Sequence, residues 1–149
     1  MKWADNNNLI SEVTRFYRKI VALSEIQILK TALAEIGKGY IIFEYTIPRI
    51  GHRIDTVYIV GGIVFLLEFK VGSQEFARNA VDQVTDYALD LKNFHKASHD
   101  RLLVPILIAT RAQSIEFVQR EMKPGIHEVI KCNQGNSNCS HLRKTQGKL

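Results

Sequence analysis

Asp55, Glu68 and Lys70 are the residues whose types and spacing could do chemistry in this 149-residue chain. They lie within RIGHRIDTVYIVGGIVFLLEFKVG, residues 49–72, where two β-branched and aromatic runs flank Gly61-Gly62. A Gly-Gly pair between such runs marks a two-residue hairpin, because the primed turns that match strand twist need positive φ. Pairing Val60 with Ile63 then sets Val57 opposite Leu66, Asp55 opposite Glu68 and Arg53 opposite Lys70. Directly opposed side chains have Cβ atoms about 4.5–5.5 Å apart, and like charges there destabilise a sheet. Two compensators are available. One is a salt ladder, with Asp55–Lys70 and Arg53–Glu68 on the two diagonals. The other is a bound divalent cation such as Mg²⁺, which takes one or two carboxylates together with waters and phosphate oxygens. Spacing alone leaves both open.

The elements around these residues narrow what the charges can be. Apart from them both strands are apolar on both faces, so the sheet expects cover on each side. Four charges at one end of such a hairpin mark a rim or a site. The spacing next predicts a helix over 74–94, with Ala77, Ala80, Val81, Val84, Tyr87, Ala88, Leu91 and Phe94 as its apolar stripe. Gln83 and Tyr87, four residues apart, share the shoulder of that stripe. Read structurally, Tyr87 is core and Gln83 satisfies a buried polar group. Asp82, Asp86 and Asp90 line the remaining face as a solvated stripe.

Asp55, twelve intervening residues and Glu68-Phe69-Lys70 together resemble the D…ExK signature of the PD-(D/E)XK nuclease superfamily, which has the restriction-endonuclease-like fold. Gln83 and Tyr87 in AVDQVTDYALDL resemble the QxxxY element of its RecB-like members. Residues 40–100 further resemble nuclease domains that precede a P-loop helicase module, and the likeness covers about residues 24–110. It implies an αβββαβ core with a mixed central sheet flanked by helices. It also implies Mg²⁺ or Mn²⁺ held by Asp55, Glu68 and the backbone carbonyl of Phe69. Lys70 would position or deprotonate the attacking water, and Gln83 and Tyr87 would orient Lys70 or contact the substrate backbone. The implied substrate is DNA and the implied reaction phosphodiester hydrolysis. A third carboxylate could come from Glu25, on the first core helix, or from Glu44, on the strand beside the hairpin. The bland alternatives are a first-turn acid favouring the helix dipole and an ion-paired edge residue. No GxxxxGK[ST] loop follows in this sequence, so the expectation is a fragment lacking its C-terminal helicase module, or else a stand-alone domain.

The remaining segments fill in the order. Helical spacing covers 9–21 and, from a capping box at Ser24 and Gln27, 24–36. A strand over Tyr40–Ile47 ends at Pro48. The loop that follows offers Arg49, His52 and Arg53 as phosphate contacts. His95 and His99 are read as surface residues. Arg101–Thr110 reads as a buried strand, with Pro105 expected at an edge or an end. A short helix over Ser114–Met122, a turn at Pro124-Gly125 and a strand over Ile126–Ile130 complete an α/β domain of residues 1–130.

Residues 131–149 form a polar tail without acids, expected to be disordered or not native to the fold. Net charge is +5, but residues 1–130 carry about +1 and the tail +4, so basicity says little about partners. Cys132 and Cys139 read as free thiols, since Cys-x6-Cys-x-His is poor zinc spacing. There is no run of 18 apolar residues and no signal-peptide pattern, so a cytoplasmic protein that does not insert in a membrane is expected. Competing with the nuclease are a catalytically silent nucleic-acid-binding module and a protein-interaction domain in which the four charges are the salt ladder.

Overall fold

The hairpin at the centre of the sheet forms as its glycines dictate. In the computed structural model, which describes residues 27, 30, 38–113, 115 and 120–133, strand β2 (Arg53–Val60) turns through Gly61-Gly62 into β3 (Ile63–Lys70). Both glycines have positive φ, 57° and 80°, the requirement of a type I′ turn. The register runs from Val60 opposite Ile63 to Thr56 opposite Leu67. A β-branched residue in this left-handed region costs about 1–2 kcal/mol. Gly62→Val is therefore expected to lower stability by that amount in urea denaturation, with the fold retained.

Strand β1 (Tyr40–Thr46) pairs antiparallel with β2. After β3 the chain crosses through helix α1 (Arg78–Phe94) to β4 (Leu102–Ala109), which lies parallel to β3. Short strands β5 (Glu121–Lys123), β6 (Ile126–His127) and β7 (Ile130–Cys132) extend the sheet beyond β4, with β6 and β7 both parallel to it. The result is α/β with a seven-stranded mixed sheet. An antiparallel meander, a crossover helix and a fourth strand parallel to the third is the strand order of a restriction-endonuclease-like core. Helix α1 lays Ala80, Val84, Tyr87, Ala88 and Leu91 on Val57, Val64, Leu66, Leu103 and Leu107. Phe65, Leu67 and Tyr58 on the opposite face are also buried, as strands without apolar alternation require.

All these elements belong to the second of two compact units, Met1–Glu35 and Ile36–Leu149. The helix expected over 9–21 and Glu25 lie outside the described residues, and of the helix expected over 24–36 only Gln27 and Lys30 are described, both helical and exposed. Among the described residues no helix is long and apolar enough to cross a membrane.

Several expectations need correction. Helix α1 starts at Arg78, four residues later than the expected start at residue 74. The preceding segment is tied to the end of β4, with Gly72 N–H on Thr110 Oγ1 (2.7 Å) and Arg111 N–H on the Ser73 carbonyl (3.0 Å). Phe94 is not in the stripe, being 68% exposed. Pro105 sits mid-strand in a strand paired on both sides. Leu103 N–H points away from β3, to the Gly125 carbonyl, and two residues on a proline has its missing N–H on that same side. There the partner strand is interrupted between His127 and Ile130, so no ladder bond is lost. Met122 lies in β5 rather than in a helix. The strand expected over 126–130 is two strands, and β7 carries order past residue 130, burying Cys132. The turn at Gly125 is present, with φ 74°.

Candidate active site

The candidate residues gather where two central strands part. β2 stays paired with β1 as far as Arg53, and β3 stays paired with β4 as far as Lys70, yet β2–β3 pairing ends at Thr56–Leu67. Beyond that rung a gap opens, and Asp55 and Glu68 stand on its two sides. The gap is closed by a side chain. Asp55 Oδ2 accepts the backbone N–H of Phe69 at 2.9 Å, in place of a ladder carbonyl. A strand residue's N–H and C=O project to the same side, so the Phe69 carbonyl is directed toward β2 as well.

Glu68 is only 4% exposed. Its Oε1 accepts from Lys70 Nζ at 2.9 Å, while its Oε2 is buried with no hydrogen-bond partner among the described residues. Burial first, and Asp55's negative charge second, push the Glu68 carboxyl up to about 7, against the opposing pull of Lys70. Two carboxyls held this close in low dielectric cannot both ionise cheaply. A buried acceptor left without a donor is costly, and a cation facing both carboxylates would relieve both penalties. That donor set fits Mg²⁺ or Mn²⁺. Among the described residues no third His, Cys, Asp or Glu joins these two.

Helix α1 completes the arrangement from above. Lys70 Nζ also donates to Gln83 Oε1 at 3.1 Å, and Gln83 Nε2 donates to Tyr87 Oη at 2.5 Å. The four-residue spacing of Gln83 and Tyr87 makes this possible by stacking them on one helix face. The Tyr87 hydroxyl is held above its ordinary range by burial and next by the charge of Glu68, with the Gln83 bond opposing. Gln83 thus reads the lysine with its oxygen and the tyrosine with its nitrogen, and Lys70 is held over Glu68 by a hydrogen-bonded chain.

The structure brings together Asp55, Glu68, Phe69, Lys70, Gln83 and Tyr87. The salt ladder is not formed, since Lys70 pairs along its own strand with Glu68 and Arg53 approaches Glu44 instead. Glu44 stands opposite Asp55 in the register but at φ 51°, its side chain 71% exposed and 3.9 Å from Arg53. The left-handed backbone thus leaves Glu44 outside the carboxylate pair, and so exposed an ion pair contributes little. Arg49 and His52 are exposed in the loop between β1 and β2, which closes by Ile47 N–H on the His52 carbonyl at 2.8 Å. His95 is half-buried rather than surface, bonded to Ser98 Oγ at 2.8 Å and edge-on to Tyr45. Asp90 is the residue that pattern reading missed. Rather than standing in a solvated stripe it pairs with His52 Nδ1 at 2.9 Å. The available signal was its i, i+3 relation to Tyr87, which places both on one helix face.

No protein-family model and no curated protein matches the sequence. Among solved structures, a repair endonuclease from Pyrococcus abyssi is similar in chain path, with a TM-score of 0.42 and 15% identity over 76% of this chain. The match covers 42% of that protein's chain, so this chain spans less than half of its length. A likeness of this size carries no argument about activity.

Proposed function

We propose that the protein is a metal-dependent nuclease hydrolysing phosphodiester bonds in DNA, with Asp55, Glu68 and the Phe69 carbonyl holding Mg²⁺ or Mn²⁺. The single observation that carries this reading is the buried Glu68 Oε2, which receives no donor among the described residues and faces the Asp55 carboxyl, with Lys70 already committed to the other oxygen. In the metal-free protein the two acids avoid like charge only by Glu68 keeping a proton, with its carboxyl pushed up to about 7, and a bound cation would take that proton's place.

The bound metal would supply Lewis-acid stabilisation of charge developing on the phosphoryl group and a more acidic water. Asp55 and Glu68 provide the negative charge that draws the cation into the gap. Asp55 also holds the Phe69 N–H, and the Phe69 carbonyl projects to the same side of the strand. Lys70 presents its ammonium group to the anionic phosphate and orients the attacking water by hydrogen bonding. Gln83 restricts Lys70 to that position, with Tyr87 fixing the orientation of the Gln83 amide. Gln83→Leu should therefore lower the cleavage rate by about tenfold, about one hydrogen bond's worth, leaving substrate affinity little changed.

Incubation of purified protein with supercoiled plasmid tests the proposal. Nicking should require Mg²⁺ or Mn²⁺, stop with EDTA and be lost in Lys70→Ala, whose far-UV spectrum should match wild type. DNA binding without any metal-dependent turnover would instead identify the catalytically silent module. The resemblance extends the proposal to a P-loop helicase module downstream, which a GxxxxGK[ST] motif in the continuing reading frame would support.

A further inference from the structure

Three acids are spaced along the outer face of α1, but they do not share one fate. Asp82 and Asp86 are exposed. Asp90 has a side chain only 19% exposed, and its Oδ2 lies 2.9 Å from Nδ1 of His52. The imidazole is also packed against the Tyr87 ring, with centroids 5.9 Å apart. Its loop is tightened by Ile47 N–H on the His52 carbonyl (2.8 Å) and Gly51 N–H on the Ile47 carbonyl (3.1 Å). A histidine on a solvent-facing loop would ordinarily lose rotamer entropy when ordered. Here α1 supplies two contacts that order it beforehand. With Nδ1 engaged, the edge of the ring bearing Nε2 is the part left to meet a ligand, and the side chain remains 53% exposed. Tyr87 is also the end of the hydrogen-bonded chain from Lys70 through Gln83, so His52 stands one ring beyond the end of that chain.

We propose that Asp90 is a positioning residue, holding His52 so that its Nε2–H contacts a backbone phosphate of the nucleic acid neighbouring the scissile one. The inference rests on the nuclease reading of the site. A phosphate oxygen only accepts hydrogen bonds, so in the complex both ring nitrogens carry hydrogen and the imidazolium lies between two anions. Asp90 compensates the ring charge and fixes its orientation, the role an orienting carboxylate has beside a ring nitrogen. An acid this close to a polyanion would otherwise only repel it.

That last point gives the test a sign. Affinity for a short DNA duplex is measured in EDTA, so that no turnover intervenes, as a function of salt for wild type, His52→Ala, Asp90→Ala and the double variant. Charge alone predicts that Asp90→Ala binds DNA more tightly. The positioning role predicts that it binds about tenfold more weakly, as the loss of one charge-assisted hydrogen bond implies, and that His52→Ala weakens binding equally. The double variant should be no weaker than either single one, since the two residues act through one contact. In all three the dependence of log K on log salt should become shallower by about 0.9, one phosphate contact. Asp90→Asn, which still offers Nδ1–H an oxygen, should recover part of the affinity. Tighter or unchanged binding by Asp90→Ala, or additive effects in the double variant, would overturn the inference while leaving metal-dependent nicking by wild type, and the nuclease reading, intact. A wild-type protein with neither DNA affinity nor nicking would overturn both.

Discussion

Glu68→Gln is expected to reduce Mg²⁺-dependent nicking of DNA by about 10²–10³-fold, the range seen when one electrostatic stabiliser of a transition state is removed. The substitution is close to isosteric. The amide oxygen can still accept from Lys70, which now meets Glu68 Oε1 at 2.9 Å, and the amide nitrogen can donate to Asp55 across the gap. What disappears is one of two negative charges available to the cation. Lys70→Met should cause a loss of similar size for a different reason. It removes the ammonium group but leaves the metal ligands in place, so metal affinity should survive while cleavage does not. The pair of variants therefore separates holding the metal from using it. Single-turnover rates on supercoiled plasmid, with metal affinity read separately by calorimetry, give both quantities. Equal rates in wild type and both variants would mean that the activity belongs to a contaminant or to another part of the protein.

The difference between what residue order revealed and what it hid follows from the physics of strands and of helix faces. The hairpin register was readable because a Gly-Gly turn leaves one pairing, and that pairing held from Val60–Ile63 to Thr56–Leu67. The rung beyond it is not formed, yet Asp55 still reaches β3, through the Phe69 N–H, and lies close enough to Glu68 to raise its carboxyl. Extrapolation of the register failed for the salt ladder, because it assumed that β2 and β3 remain paired. They separate beyond Thr56–Leu67 while each stays paired with its outer neighbour, and pairing among four strands cannot be read from two. The covering of both faces was readable from apolar runs without alternation. Pro105 was misplaced because a rule about edges was applied to a residue whose missing N–H faces a break in the adjoining strand. The Gln83–Tyr87 pair was readable because helical spacing is fixed. Asp90 was not, because its partner comes from a loop 38 residues away and loops carry no periodicity. For Glu44 the structure has the ion-paired edge residue that stands as the alternative to a third carboxylate, although its φ of 51° departs from the β backbone that strand alternation assumes.

Metal binding should also be visible as a change in stability that reverses with pH. In the metal-free protein the Glu68 carboxyl is raised from 4.5 to about 7, by burial and then by Asp55. Between those values the folded state holds more protons than the unfolded one, so stability must fall as pH rises through that window. The contribution is fully present below about 4.5 and lost above about 7. With solvent screening allowed for, it amounts to about 2 kcal/mol. Glu68→Gln has no such proton to lose. In EDTA the variant should therefore melt about 4–8 °C above wild type at pH 8, and the two should converge toward pH 5. Mg²⁺ acts in the opposite direction because it binds the ionised carboxylate. At a concentration about 100 times its dissociation constant it adds about 2.7 kcal/mol, which raises the melting temperature of wild type by about 5–10 °C at pH 8 and by much less at pH 5. Glu68→Gln should show little response at either pH, and Lys70→Met should keep the response. A Mg²⁺-induced shift of the same size in wild type and Glu68→Gln would place the cation elsewhere on the protein. A pH profile of wild type that runs parallel to that of the variant would show that the two carboxyls do not share the gap between β2 and β3 in solution.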